Sequence, residues 1–544
     1  MTDAGRRNVR DLRRANRARL LRELYFSGPL SRQDLISATG LSSASVSNVA
    51  ADLIEAGVVV EAGAVESEGG RPRILLRVDT ERFPVVGIDV GETRIRVERF
   101  DLGLHEQASA DIPVDAARPD PGRIVAGIVA GLGAVTAGAA RVLGVGIGVP
   151  GIVQHEPSAV VHGQTVGWDA LPLEELLRAH TDLPLFVDNG AATMGQAELW
   201  FGAGPATDSA VFLLIGSGIG ATLIADGAVL RGSTTSAGEW GHTNVEIGGR
   251  RCRCGARGCL EAYVGAEAVI ARYHETPGAM PLDARNEEQA LARIVALAQG
   301  GAVVGGGAEG TAAAGGGGAA GGGGAAGGVA GAAGGGGAAG AGRAAGAADG
   351  VTAAGAGGVP GAGAADAARG RSAARGVGAA DAGGAGAGST AGAAGGAGAG
   401  RGARAWGGAD ARDAAGSAGA VGGANAAGAW GAGSEASAAS EAARAVLEET
   451  ALRIGVGIAN LVNLFNPRRV IIGGWAGLTM APLLPSIRDA AQAHALRLPF
   501  SQTSIELGAL GPDAVARGAA TLPVAAFLAS GGEGLAPGAA RSAS

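Results

Sequence analysis

The chain begins with apolar positions at helical spacing. Leu12, Leu20, Leu21 and Leu24 form one apolar stripe, which predicts a helix over residues 9–25. A Gly-Pro pair follows at residues 28–29, where the chain can no longer continue as a helix. The pattern therefore indicates an amphipathic first helix.

Two shorter helices are predicted next. Ser31 and Asp34 have the spacing of a capping box and open a helix through residue 38, and Ser42 caps another through residue 56. Gly40 lies in the turn between them, so the pair has the helix-turn-helix signature. Apolar runs at 58–60 and 74–76 predict the two strands of a wing. We expect a winged helix-turn-helix domain over residues 1–82. The residues of the third helix predicted to face inward are Val46, Val49 and Leu53.

This domain carries a candidate DNA-binding surface. The formal net charge of the chain is −7, but eight arginines lie within the first 22 residues, and phosphate contacts depend on local charge. Arginine runs are often only solvated faces, so the prediction rests on the order of helix pair, wing and arginines together. Small polar side chains at the start of a recognition helix read base edges, and a wing arginine fits a narrow minor groove. The predicted contacts are Ser43, Ser45, Ser47, Asn48, Arg71 and Arg73.

The rest of the chain divides by composition. Residues 83–300 alternate β-rich and helical runs, which predicts an α/β domain that resumes at 437–530. Residues 301–436 are almost wholly Gly and Ala; they bury too little apolar area to offset backbone entropy, which predicts a disordered surface insertion. Residues 531–544 resemble a second disordered segment, a C-terminal tail.

Hydropathy does not predict a membrane protein. The mean hydropathy is +0.23, but it comes from Ala and Val, without a strongly apolar run of about 20 residues. The N-terminus is arginine-rich and lacks the apolar segment of a signal peptide. We therefore expect a cytoplasmic protein.

All three cysteines of the chain lie within eight residues, and a histidine precedes them by ten positions. Three thiolates and one imidazole complete a tetrahedral zinc site of the structural kind. A set of free thiols is the alternative; a disulfide would leave one cysteine unpaired. The predicted ligands of a structural Zn²⁺ are His242, Cys252, Cys254 and Cys259.

Several motifs now combine into a family resemblance. Outside the Gly/Ala tract, nearly the whole chain resembles the ROK family of repressors, open reading frames and kinases. The motifs that carry the resemblance are Gly-Glu-Trp-Gly-His at 238–242, Cys-x-Cys-Gly-x-x-Gly-Cys-Leu-Glu at 252–261, Gly-Ile-Asp-Val-Gly-Glu-Thr at 87–93, Gly-Ile-Gly-Val-Pro-Gly at 146–151, Gly-Ser-Gly-Ile-Gly at 216–220 and Asn-x-x-Asn-Pro at 463–467.

The resemblance implies a fold and a ligand. The fold is the actin-like, ribonuclease H-like one, with two α/β lobes around a sugar cleft. The family's sugar contacts correspond here to Asn189, Glu239, His242 and Glu261. In the family the histidine both binds zinc and faces the sugar, so the metal would hold these side chains in place.

Two departures affect catalysis. Gly190 stands where the family's kinases have the catalytic aspartate, and glycine cannot take the proton of a sugar hydroxyl. Asp188, two positions away, could not replace it without rebuilding the turn. Glu92 stands in the first glycine-rich turn, where a second glycine is usual, and its carboxylate would repel nucleotide phosphates. We expect no kinase activity and no catalytic residue.

These features predict a transcriptional regulator of carbohydrate genes. We expect a repressor that binds double-stranded operator DNA as a homodimer or higher oligomer and responds to a sugar or sugar phosphate. Because Gly190 removes a negative charge and opens space near the C6 position of the sugar, a 6-phosphosugar is one hypothesis. The alternatives are an active sugar kinase with an added DNA-binding domain, and a DNA-binding protein with no effector.

Overall fold

Caps and turns determine where the N-terminal helices begin and end. The computed structural model describes residues 3–66, 72–114, 120–139, 141–163, 166–202, 207–300 and 427–535, with the backbone alone for 3–10 and 427–434. The elements of the N-terminal domain are α1 (Asp3–Ser27), β1 (Leu30–Ser31), α2 (Arg32–Thr39), α3 (Ser43–Glu55), β2 (Val59–Val65) and β3 (Arg73–Val78).

The predicted capping residues are confirmed. Ser31 and Asp34 form the complete capping box of α2, and Ser42 accepts a hydrogen bond from the backbone N–H of Ser45 at the start of α3. Gly40 ends α2 in the left-handed region, at φ 64°. The three strands pair in the order β1-β3-β2. The domain is therefore a winged helix.

One predicted core position is wrong. Leu20, Leu21 and Leu24 are buried, but Leu12 is 61% exposed. It lies about two turns before Leu20, so the buried part of the stripe begins later in the helix. The inward positions predicted for α3, which are Val46, Val49 and Leu53, are buried.

The first lobe is built on one five-stranded sheet in the order β11-β7-β4-β5-β6. In this sheet β5 pairs antiparallel with both β4 and β6. On the other side of β4, β7 pairs parallel with β4, and β11 pairs parallel with β7. The elements of this lobe are β4 (Val85–Val90), β5 (Arg94–Phe100), β6 (Glu106–Pro113), α4 (Pro121–Thr136), β7 (Val145–Val149), β8 (Ile152–Gln154), β9 (Val160–Gly163), β10 (Trp168–Leu171), α5 (Leu173–Arg178), β11 (Leu185–Asn189) and α6 (Gly190–Phe201).

The second lobe repeats this topology. Its sheet has the order β14-β13-β12-β15-β16, again with three antiparallel strands followed by two parallel ones. This repetition agrees with the actin-like fold that the resemblance implies. The elements are β12 (Ser209–Ile215), β13 (Ile219–Ala225), β14 (Ala228–Val229), α7 (Glu261–Val264), α8 (Ala266–Glu275), α9 (Glu287–Ala298), α10 (Ala427–Phe465), β15 (Arg469–Gly473), α11 (Trp475–Thr479), α12 (Leu484–His494), α13 (Arg497–Ser501), β16 (Ser504–Leu507) and α14 (Ala514–Ser530).

Helix α14 returns from the second lobe to the first. It packs so closely that a Cβ on Gly87 would lie 1.9 Å from the carbonyl oxygen of Ala516, and one on Gly146 would lie 1.7 Å from that of Ala519. Glycine is required at both sheet positions because only a bare backbone lets the helix approach. The C-terminus thus completes the first lobe.

Two predicted boundaries change. Helix α10 begins at Ala427, so helical backbone extends into the segment 301–436 predicted as an insertion; residues 301–426 lie outside the described residues. The predicted tail begins with packed residues: Gly532 lies against Val58, and Leu535 is buried. Residues 536–544 also lie outside the described part. Among the described residues, no helix is long and apolar enough to cross a membrane.

Candidate functional site

A cavity of about 430 Å³ is lined by both sheets. The ends of β4, β7 and β11 form one wall, and the glycine-rich turn between β12 and β13 faces them. All four predicted sugar contacts line this cavity, and so do Glu92 and Gly190. The sequence therefore identified residues that the fold brings together from distant parts of the chain.

Glu261 and Glu239 both line the cavity, and Glu261 is the more firmly held of the two. The Oε2 atom of Glu261 accepts a hydrogen bond of 3.0 Å from the backbone N–H of Ile219, and its Oε1 lies 3.7 Å from Cys252 Sγ. The carboxylate of Glu239 lies 3.8 Å from Nε2 of His242. Burial raises the pKa of Glu239, against the opposing effect of His242. Two carboxylates and one imidazole thus present hydrogen-bonding atoms to the same space.

The side chain of Asn189 is already hydrogen-bonded within the protein, which limits the hydrogen bonds that it can offer a sugar. Its Oδ1 accepts hydrogen bonds from the backbone N–H groups of Ala191 and Ala192, and its Nδ2 donates to the carbonyl oxygen of Gly151 at 2.8 Å. The side chain is therefore the N-cap of α6. One amide hydrogen remains for a ligand, so its sugar-binding role stays a prediction.

The four predicted metal ligands converge. The ligand atoms of His242, Cys252, Cys254 and Cys259 all lie within 4.8 Å of one another. Cys252 Sγ is 3.7 Å from His242 Nδ1, and the Sγ atoms of Cys254 and Cys259 are 3.8 Å apart. A tetrahedral zinc ion with bonds of about 2.3 Å to sulfur places two sulfur ligands about 3.8 Å apart. The donor set and its spacing therefore fit zinc.

Gly190 leaves an open position in the wall of the cavity. It is the first residue of α6, directly after Asn189. A Cβ built there would lie 3.6 Å from the carbonyl oxygen of Val149 and 3.6 Å from Cγ1 of Val515, which is ordinary contact. Packing therefore does not demand glycine at this position. A Cβ is accommodated, and glycine places no side-chain proton acceptor at this point of the wall.

Glu92 does not project freely into the cavity, because Arg253 holds it. Arg253 Nη1 lies 2.5 Å from Glu92 Oε2, and its Nη2 donates to the carbonyl oxygen of Ser217 at 3.2 Å. The pair therefore joins the first glycine-rich turn to the second. Burial raises the pKa of Glu92, while Arg253 opposes this rise.

Sequence reasoning missed two residues near this end. Arg253 lies between two predicted metal ligands, and only this position in the metal loop hinted at a role. Asp89 is the penultimate residue of β4 and lines the cavity. Burial raises the pKa of Asp89 to about 7, with Arg94 acting against the rise.

The predicted DNA-contacting residues lie mostly in the open. Ser43, Ser47 and Asn48 are exposed on α3, whereas the hydroxyl of Ser45 lies 2.9 Å from that of Ser42 within the N-terminal cap. Arg73 is exposed and lies 3.9 Å from Asp34. Arg71 lies outside the described residues. Among the predicted DNA-contacting residues of α3, Ser45 is thus the one whose hydroxyl already has a partner within the protein.

The chain thus joins a winged helix to an actin-like fold of two lobes, which carries a carboxylate-lined cleft and a Cys₃His cluster. The model of the ROK family matches residues 85–304 and 433–525. This is more than half of the chain, and the protein belongs to the ROK family. The model of the MarR family matches residues 11–69, which agrees with the winged helix.

Individual relatives include regulators and a kinase. The xylose repressor of Caldicellulosiruptor bescii is 30% identical over 262 residues, 48% of this chain and 66% of the repressor. A glucokinase of Halalkalibacterium halodurans is 31% identical over 190 residues, 34% of this chain and 57% of the kinase. The matched regions thus span slightly less than two thirds of the repressor and little more than half of the kinase.

A solved structure supports the whole architecture. The crystal structure of a ROK family transcriptional regulator, a homolog of the E. coli MLC protein, has a TM-score of 0.57 at 19% identity and covers 96% of this chain and 98% of its own. At this identity the likeness shows the fold. It includes the N-terminal domain because nearly all of both chains is covered.

Proposed function

We propose that this protein is a DNA-binding transcriptional repressor of carbohydrate uptake or catabolism genes, with a sugar as effector. Its ROK domain binds the sugar in the cleft and does not phosphorylate it. The observation that carries the proposal is that the winged helix shares one hydrophobic core with the sugar-binding fold. Leu21 and Leu53 of the winged helix belong to the same buried cluster as Phe100 of β5 and Phe527 of α14.

Helix α6 supports a route from the cleft to the DNA-binding domain. Its N-cap, Asn189, lines the cavity. At its other end the ring of Trp200 lies 5.1 Å from that of Phe26 and 6.3 Å from that of Tyr25, both in α1. The Tyr25 hydroxyl donates to the carbonyl oxygen of Leu102 at 2.6 Å. A sugar that prefers one closure of the lobes would therefore shift α1 and the helices that follow it.

Zinc supplies rigidity in this proposal. The residues that hold it are His242, Cys252, Cys254 and Cys259. Because His242 Nε2 faces Glu239 and Cys252 lies beside Glu261, ligation would fix the orientation of both carboxylates. The protein would act as a homodimer, since a two-fold pair of winged helices matches a pseudo-palindromic operator.

DNA binding can be tested by selecting the operator directly from genomic DNA. The full-length protein is used to enrich fragments of its source genome, and affinity for the selected site is measured by fluorescence anisotropy with and without a panel of sugars. Asn48→Ala and Ser47→Ala should each weaken binding by about 5- to 100-fold. Ser437→Ala, an exposed serine of α10, is the matched control. Failure to enrich any sequence would overturn the proposal.

The coupling route has its own test. Trp200→Ala should leave the affinities for sugar and for DNA close to those of the wild type but reduce the factor by which sugar weakens DNA binding. Coupling energies between two sites are typically about 1–3 kcal/mol, or about 5- to 150-fold. Trp200→Phe should restore most of the coupling. Undiminished coupling in Trp200→Ala would exclude this route.

The similarity to a glucokinase supports an alternative, that the chain is an active sugar kinase with an added DNA-binding domain. The glycine at position 190 and the ion pair of Glu92 argue against it. ADP release, measured with ATP, magnesium and each sugar of the panel, separates the two functions. Sugar-dependent turnover above the level of a protein-free control would favour the kinase.

A further inference from the structure

The end of the cleft with the glycine-rich turns, where the family resemblance places phosphate, is hydrogen-bonded to the chain's own groups. The Ser217 hydroxyl of the second glycine-rich turn donates to Glu287 Oε2 at 2.6 Å. The backbone N–H of Ile219 donates to Glu261, and that of Gly216 donates to the carbonyl oxygen of Gly218 at 2.9 Å. These donors are the kind that bind phosphate oxygens. Here they are satisfied internally.

Arg253, the cation that joins the two glycine-rich turns, also has its partners within the chain. The guanidinium of Arg253 lies 2.5 Å from Glu92, 3.7 Å from Glu261 and 3.6 Å from Glu267. Three carboxylates therefore surround one positive charge. A phosphate would have to displace Glu92 to reach it.

In the part of the chain that the structure describes, carboxylates line the cavity and arginines do not, so the formal charge that these groups give the lining is negative. Asp89, Glu92, Glu239 and Glu261 line it, and no arginine does among the described residues. Carboxylates that Arg253 does not hold, such as that of Glu239, accept hydrogen bonds from sugar hydroxyls, which suits an uncharged polyol. They repel a phosphate ester, because like charges at this range in a partly buried site are costly.

We infer that the cleft selects an uncharged sugar and rejects its phosphate ester, with Glu92 and Arg253 as the residues that determine this specificity. The inference rests on the proposed sugar-binding function and narrows it. It argues against the 6-phosphosugar suggested by Gly190 alone: the space at position 190 is present, but the charge that would favour a phosphate is neutralised by Glu92.

The first test compares matched ligands on the zinc-loaded, full-length protein. Calorimetry uses glucose, xylose and N-acetylglucosamine beside glucose 6-phosphate and N-acetylglucosamine 6-phosphate. If a parent sugar binds, its affinity should be at least tenfold higher than that of its 6-phosphate. Glu92→Gln should reduce this ratio of the two affinities. Equal or tighter binding of a 6-phosphate would overturn the inference, while release of DNA by that 6-phosphate would still support the proposed function.

The second test does not require the natural sugar. Inorganic phosphate, at matched ionic strength, should not shift the melting midpoint of the wild type relative to chloride. Glu92→Gln removes the charge of the carboxylate that lies closest to Arg253 and should produce a phosphate-dependent upward shift of the melting midpoint. Glu288→Gln, which makes the same charge change at an exposed position of α9, should not. A shift in the wild type equal to that in Glu92→Gln would overturn the inference even if none of the sugars binds.

Discussion

The two ends of the cleft differ in the residues that line them. At the end proposed to bind sugar, Glu239 and Glu261 lie beside His242 and Cys252 of the Cys₃His cluster. At the other end, the wall has glycine at position 190, and the pair of Glu92 and Arg253 joins the two glycine-rich turns. Under the proposed function, sugar binding depends on the first set of residues, and phosphoryl transfer would need the second. A regulator needs only the first.

Removal of a metal ligand should give the largest effect on the sugar end. Cys259→Ser is expected to abolish stoichiometric zinc and weaken sugar binding by more than about 100-fold, because loss of the metal leaves Glu239 and Glu261 unbraced. Elemental analysis and calorimetry measure the two quantities. Ser437→Ala serves as a control that touches neither. Full zinc content in Cys259→Ser would show that the cluster is not the metal site.

Zinc uptake should also depend on pH in a defined direction. Burial raises the pKa of the Cys252 thiol to about 12, so the metal must displace a proton to bind the thiolate. Zinc affinity should therefore fall as the pH is lowered. Competition with a chromophoric chelator at several pH values, corrected for the chelator's own protonation, measures the trend.

A matched pair of substitutions compares the two ends directly. Glu239→Gln removes a charge that lines the cavity beside His242, outside the group of carboxylates around Arg253, and should weaken binding of an uncharged sugar by about 10- to 100-fold, since hydrogen bonds to charged groups contribute about 1.5–3 kcal/mol. Glu92→Gln removes the same charge at the other end and should change that affinity less than threefold. Similar losses in both variants would mean that the two ends are not separable.

The sequence predicted features with a recognisable pattern well and distant pairs without one poorly. The caps at Ser31 and Ser42 depend on residues three positions apart, and the metal cluster and the residues that line the cavity lie in short motifs, so patterns within the sequence reveal them. The ion pair of Glu92 and Arg253 joins residues 161 positions apart, and the packing of Gly532 against Val58 joins the two ends of the chain. No local periodicity encodes such pairs. They follow from the way the second lobe and α14 return to the first.

Asp89 should give a smaller, pH-dependent difference. Because the pKa of Asp89 is raised to about 7 in the folded protein and is about 3.9 in an unfolded chain, the native state binds the extra proton between these values. Its contribution to stability is therefore present at low pH and lost as the pH rises towards 7. Melting midpoints of Asp89→Asn and the wild type should diverge in favour of the variant over that range. A difference that is constant with pH would contradict the buried carboxyl.

Gly190→Asp should have the smallest effect, although it restores the group that a kinase requires. A Cβ at this position makes only ordinary contacts. An aspartate in the first turn of α6 interacts favourably with the helix dipole, by about 0.3–1 kcal/mol, but the carboxylates that line the cavity oppose this gain, so the melting midpoint should change little. No sugar-dependent ADP release is expected, since Glu92 and Arg253 still occupy the phosphate end; Gly190→Asn is the uncharged control. Sugar-dependent turnover in Gly190→Asp but not in Gly190→Asn would show that nucleotide can displace the ion pair of Glu92 and Arg253. The absence of kinase activity would then depend on the residue at position 190 and not on that ion pair.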